Sequence, residues 1–280
     1  MPMNPRLLRP LAGRSLLLDR YPDARVAYSL RRLSSAYSGP VVKVRRSSDS
    51  AEEDFTATEV SGGSLATWVG AGNDGFVRTW YDQSGNGTNA NQTTSNRQPK
   101  IVSSGSLVLT PEGRPAMELT TTGFAVGANV YSGSYSFFSV IQPDLTPAVS
   151  SFDLFQAMAA TGNGSFFRFD RNNTRLVWFL ASNLTTGFGY ITQSLNPNAV
   201  YSGTADIVSG AVALYRNGAQ GASGTLASWS DRTADLSLFA YDAGASVPFQ
   251  GKASEIIFYT SAVAARADVE AEMQKHYGIT

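Results

Sequence analysis

Four segments decide the fold of this chain: Ala27-Tyr28-Ser29-Leu30-Arg31-Arg32-Leu33, Ala36-Tyr37-Ser38-Gly39-Pro40, Val42-Lys43-Val44-Arg45-Arg46-Ser47-Ser48-Asp49 and Thr79-Trp80-Tyr81-Asp82-Gln83-Ser84-Gly85-Asn86-Gly87. The β-branched run at 41–45 predicts a strand. A second strand over 76–81 ends in the turn 82–87, where Asp82 and Asn86 suit backbone hydrogen bonding and Gly85 and Gly87 supply positive φ. A short helix is expected over 64–69, with Ser64 as its cap. The segment 26–33 reads either as a short helix or as a strand with a basic outer face.

Working outward, further strands are expected at 100–102, 106–109, 116–119, 135–142, 152–157, 165–169, 175–180, 189–193, 198–206, 211–216, 234–241 and 251–259. Alternation is clear in Tyr135-Ser136-Phe137-Phe138-Ser139-Val140, whereas Leu176-Val177-Trp178-Phe179-Leu180 is apolar on both faces and suits a doubly covered strand. Asn217-Gly218 between two such runs is a two-residue hairpin signal, because that turn needs positive φ at both central positions. One helix closes the chain: Ser261 caps it, Ala265, Val269, Met273 and Tyr277 recur every four residues, and Gly278 stops it. The pattern is that of an all-β, two-sheet antiparallel sandwich with a short C-terminal helix.

Composition narrows the chemistry. The 280 residues contain no cysteine, which excludes disulfides, thiolate metal sites and a cysteine nucleophile. Twenty-two basic residues balance twenty-two acidic ones, so no global field directs the chain to nucleic acid or to a charged surface. Arg31, Arg32, Arg45 and Arg46 lie close in sequence to Glu52, Glu53 and Asp54, which favours a salt-bridged surface over a nucleic-acid patch. The single histidine, His276, argues against a Ser–His–Asp triad and a multi-histidine zinc site. No phosphate-cradling glycine loop occurs, and no cofactor is expected. No apolar run approaches the roughly 20 residues that span a membrane. The early run Leu16-Leu17-Leu18 is too short for a secretory leader, so synthesis in the cytoplasm without export is expected.

Residues 1–23 read as an extended arm preceding a domain at 24–280. Pro2, Pro5, Pro10 and Pro22 interrupt helix, and seven arginines in the first 32 residues face only Asp19 and Asp23. Two roles fit this composition. The arm packs back along its own sandwich, or Leu7, Leu8, Leu16, Leu17 and Leu18 fill grooves on a neighbouring subunit while Arg6, Arg9 and Arg14 pair with carboxylates. The second is the expectation carried forward.

The quoted segments resemble the opening of a concanavalin A-like, laminin-G-like jelly roll. The ending Gly251-Lys-Ala-Ser-Glu255-Ile-Ile-Phe-Tyr259, with Tyr277-Gly278-Ile279, resembles the last strand and terminal helix of such domains. The likeness is greatest to the catalytic sandwich of the α-L-arabinofuranosidase B family and its relatives in bacterial and phage surface proteins. Secreted members of that family carry cysteines, and this chain does not. The resemblance implies a retaining glycosidase, which needs two carboxylates about 5–5.5 Å apart. It places the acid/base aspartate at Asp242, in Leu238-Phe239-Ala240-Tyr241-Asp242-Ala243-Gly244. The family's nucleophilic glutamate follows a Phe-Asp-Tyr-Gly-Asn-Ala run. The matching stretch here, Phe152-Asp153-Leu154-Phe155-Gln156-Ala157-Met158-Ala159-Ala160, contains none.

Two further candidates remain. Asp82, Ser84 and Asn86 carry oxygens at positions 1, 3 and 5 of a calcium-loop-like run, but Thr93 stands where such loops have glutamate, so a structural turn is the competing reading. Trp229 and Tyr131 are the exposed aromatic platforms on which a sugar could stack, while Trp68, Trp80 and Trp178 sit in apolar patterns. The incomplete carboxylate pair, the arm and the missing leader set the expectation: a non-catalytic structural protein of a phage virion, a capsid decoration or tail component. It would be present in multiple copies, held to other virion proteins by residues 1–23, and would bind neither nucleic acid nor membrane. The alternatives are a carbohydrate- or receptor-binding adhesion module of the virion that holds host surface glycan, and an arabinofuranosidase-like glycoside hydrolase.

Overall fold

The computed structural model describes residues 15–120, 122–127, 133–144, 198–206, 208–225, 235–239, 249–261 and 263–280, and the backbone of strands at 151–158, 164–170, 175–181 and 188–192. The protein is an antiparallel β-sandwich with a short C-terminal helix.

One sheet contains β1 (Ala24–Ser29), β10 (Tyr135–Pro143), β15 (Ala199–Ala205), β16 (Ala211–Arg216), β17 (Ala219–Thr225) and β19 (Gly251–Tyr259), in the order β17-β16-β15-β10-β19-β1. The other contains β2 (Val42–Arg46), β3 (Glu52–Phe55), β4 (Gly75–Trp80), β5 (Ala90–Asn91), β9 (Phe124–Val126), β11 (Ser151–Met158), β12 (Gly164–Asp170), β13 (Arg175–Ala181), β14 (Phe188–Thr192) and β18 (Ser237–Leu238). Its order is β3-β2-β4-β5-β9-β18-β11-β12-β13-β14. β6 (Lys100–Ser103), β7 (Ser106–Leu107) and β8 (Met117–Leu119) join the two: β8 pairs with β19 on one side and β6 on the other, and β6 pairs with β4 and with β7. One edge of the sandwich is thereby closed.

Alternation sorts the side chains. Tyr135, Phe137 and Ile141 of β10 point between the sheets, where Trp80 lies within 5.6–6.4 Å of the rings of Tyr28, Phe124 and Phe239. Phe138 and Val140 point the other way, with Ile257 of β19, onto the helix Arg266–Tyr277. That helix returns Val269, Met273 and Tyr277 to the same layer, so β10 and β19 are buried on both faces. Burying side chains of this size contributes roughly 1.5–3 kcal/mol each.

Of the segment 26–33, residues 26–29 resolve as part of strand β1, a consequence of its pairing with β19, and the strand ends at Ser29. The Asn217-Gly218 hairpin is present, with φ of 48° and 83°. The helix starts at Arg266 rather than at Ser261, whose carbonyl accepts from Ser136 Oγ at 2.8 Å. Two helical turns, Ala57–Ser61 and Ser64–Val69, pack beside β3. Thr56 and Glu59 cap the first reciprocally, and Gly63, not Ser64, precedes the second.

The arm reading needs correction where it is described. Leu17–Arg20 is one helical turn, Leu17 and Leu18 are buried in the layer beneath the C-terminal helix, and the Leu18 amide donates to the Leu33 carbonyl at 2.8 Å. Leu16 lies at the surface beside Arg31 and His276. These leucines pack on their own sandwich because the outer face of β10 and β19 is apolar and needs cover. Arg6, Leu7, Leu8, Arg9 and Arg14 lie outside the described residues.

Candidate functional site

The strand register draws a line of side chains across the closed edge. Gln142 of β10 faces Lys252 of β19, Lys252 faces Glu118 of β8, and Glu118 faces Lys100 of β6. Lys100 then faces Phe76 of β4, and Phe76 faces Arg45 of β2. Registered neighbours in an antiparallel pair share a face. Because Met117, Leu119, Val77 and Val44 on either side are core residues, the line faces outward. It forms the floor of two adjoining hollows of about 410 Å³ each, which share Glu118 and Thr120. Each volume lies within the roughly 300–1,000 Å³ usual for small-molecule sites.

The cations of the line are held in place. Arg45 Nε donates to Gln98 Oε1 at 2.8 Å, and its guanidinium sits 5.0 Å from the Phe76 ring centre. Lys100 pairs with Asp74 at 2.9 Å, and Lys252 Nζ donates to the Leu109 carbonyl at 2.8 Å. Glu118, between the two lysines, therefore makes no ion pair among the described residues. Its carboxylate stands in the wall common to both hollows.

Three buried polar atoms along this groove have no partner among the described residues: Gln142 Oε1, Gln250 Oε1 and Thr122 Oγ1. An unmade hydrogen bond at a buried group costs about 1–3 kcal/mol. Gly251 shapes the floor. At φ 140° it lies so close to β10 that a Cβ would meet the Gln142 carbonyl oxygen at 2.1 Å.

The Phe249 amide donates to the Phe239 carbonyl at 2.6 Å. Phe239 has φ 65°, unusual for a bulky residue. The next residue, Gln250, lines the groove, and its carbonyl accepts from the Asp144 amide at 2.9 Å. Asp242 lies outside the described residues. So do Trp229 and Tyr131. The stretch matching the family's nucleophile run is strand β11, which ends at Met158.

The Asp82 turn is a separate structure. Asp82 Oδ1 accepts from the amides of Ala27 and Ser84, and Oδ2 from Ser84 Oγ and the Thr88 amide, at 2.7–3.1 Å. Asn86 donates to the carbonyls of Ala24 and Arg25, and Gln83 exchanges bonds with Ser29, Arg31 and Leu33. These side chains pin the turn onto β1. Among the described residues no group of three or more acidic or histidine side chains is placed to hold a metal.

The sequence reading missed Glu118, Gln142, Gln250, Thr122 and Phe76. They come from separate strands or flanking turns, and no local motif links them.

No family model matches the chain, and no curated protein matches it. Solved structures do. A GH54 α-L-arabinofuranosidase mutant soaked with 4-nitrophenyl α-L-arabinofuranoside superposes at TM-score 0.66 and 15% identity over 91% of this chain and 62% of that one. An arabinofuranosidase complexed with arabinofuranosyl-α-1,2-xylobiose gives TM-score 0.63 and 13% identity over 89% and 62%. The Trypanosoma rangeli sialidase with the inhibitor DANA gives 0.50 and 10% over 71% and 31%. The chain spans about 62% of the length of the arabinofuranosidases it matches. At such identities the likeness establishes the fold, a β-sandwich of the kind found in glycoside hydrolases. The expectation of a non-catalytic phage structural protein is corrected by these matches: the structures sharing nine-tenths of the chain are glycoside hydrolases, and none of those named is a virion protein. Among the described residues no helix is long and apolar enough to cross a membrane.

Proposed function

We propose that the protein is a glycoside hydrolase acting on arabinofuranosyl-bearing or related glycans, with the groove over Glu118 and Gly251 as its substrate site. The observation that carries this reading is the concentration of two carboxylates, Glu118 and Asp144, and three buried polar atoms without a partner among the described residues, in one groove on an arabinofuranosidase-like sandwich. Sugar hydroxyls suit such acceptors as donors, and the exposed edge of Phe76 gives an apolar contact beside them.

Asp242 is the acid/base residue by its resemblance to the family. Protonating the leaving oxygen contributes typically 10²–10⁴-fold. The second carboxylate is then one of the groove's own, Glu118 or Asp144, in place of the glutamate missing after β11. Release of 4-nitrophenol from 4-nitrophenyl α-L-arabinofuranoside tests the reading. Turnover is expected, falling at least 100-fold in Asp242→Asn and in one of Glu118→Gln or Asp144→Asn. Azide rescue of the latter variant identifies the nucleophile. No release from aryl arabinofuranosides, xylosides or sialosides overturns the proposal.

A further inference from the structure

On a part of the surface that shares no residue with the groove, Arg31, Arg32, Arg114 and His276 converge on a pocket of about 350 Å³. Among the described residues no Asp or Glu lines it, and its lining includes the hydroxyl residues Thr58 and Ser61. Arg31 is neutralised from behind by Glu255 at 2.7 Å and lies 3.7 Å from Glu272. Among the described residues the other two arginines are not: Arg32 donates to the carbonyls of Ser34 and Ser35, and Arg114 makes no ion pair. Arg46, Arg78 and Lys100, by contrast, pair with Asp49, Glu52 and Asp74.

We propose that this pocket is a binding site for a small oxyanion, a phosphate, sulfate or carboxylate group, held between the guanidinium groups of Arg32 and Arg114. Planar guanidinium forks match such groups in two-point contacts. His276 reports on occupancy. Burial first, then the neighbouring charges of Arg31 and Arg114, pull its pKa down to about 4 against the opposing pull of Glu255. An anion in the pocket offsets the arginines and raises that value. The groups facing His276 are Arg31, Arg114, Glu255 and the adjoining ring of Tyr277.

The single histidine allows the test on the full chain by NMR of its Cε1–H signal. Sodium phosphate, sulfate and glucuronate are titrated separately at constant ionic strength set with chloride. At least one should give a saturable shift and raise the His276 midpoint by a unit or more, and which one does so distinguishes an inorganic from a sugar-borne anion. The response should fall at least tenfold in affinity in Arg114→Ala and in Arg32→Ala, both exposed positions, while hydrolysis at the groove is unchanged. Linear, non-saturating shifts with all three anions, or saturation unaltered in both variants, overturn the proposal.

Discussion

Arg31 and Glu255 form a two-point pair inside the protein: Arg31 Nε donates to Oε2 at 2.7 Å and Nη2 to Oε1 at 3.0 Å, with the carboxylate fully buried. Ser29 Oγ and the Tyr277 hydroxyl complete the set at 2.8 and 3.0 Å, so one carboxylate ties β1, β19 and the terminal helix together. Burial alone would push the Glu255 pKa up, but Arg31 and Ser29 more than offset it and the net direction is down. The Tyr277 hydroxyl is driven upward by burial and by Glu255.

Removing one partner of that pair should be severe. Glu255→Ala removes the buried two-point partner of Arg31, leaving it Glu272 at 3.7 Å, and is expected to lower stability by about 3 kcal/mol. Urea unfolding of the single variants and of the Arg31→Met/Glu255→Leu double variant checks this. The double variant is expected to lose much less than the two singles summed.

Acid should destabilise the protein earlier than its carboxylates alone would suggest. His276 is held at about 4 in the folded chain against 6.5 for an ordinary histidine. The unfolded chain therefore takes up a proton between those values that the folded one refuses, and stability falls as pH drops from about 6.5 to 4. Thermal midpoints measured over that window should slope downward, with a shallower slope in His276→Gln.

The turn at Asp82 should behave as structure. Replacing Asp82 with Ala strands the amides of Ala27, Ser84 and Thr88, of which the first is buried, and is expected to cost about 2–4 kcal/mol. With four donors already on its carboxylate, calcium should leave the thermal midpoint unchanged. A calcium-dependent rise would show that the turn binds the ion.

Gly251→Ala should be among the most damaging single-methyl additions in the chain. Its Cβ would overlap the Gln142 carbonyl oxygen and crowd the Asp144 amide, so β10 and β19 must separate locally. Loss of more than about 3 kcal/mol is expected, because backbone cannot rotate away as a side chain can. A midpoint within a degree of the parent would contradict the close approach.

Much of the sandwich was legible from alternation, which marks a strand wherever one face is buried. β16 and β19 match the expected bounds, and most of the central strands fall within a residue or two. β3 was invisible because Glu52-Glu53-Asp54 resembles a loop, yet it stands at a sheet edge where those side chains meet water and Arg78 and Lys43. The run at 234–241 promised a long strand, but among its described residues only Ser237–Leu238 pair, and Phe239 turns to positive φ. The groove was less legible still. Lys252, Glu118 and Lys100 are far apart in the chain, and only the β8 bridge brings them side by side.

That bridge has an evolutionary consequence. Lys252, Glu118, Lys100 and Arg45 occupy the outward half of strands whose inward half maintains the core, so their side chains can be exchanged without disturbing what holds the sandwich together. Selectivity on such a surface can drift one rung at a time while the backbone stays put.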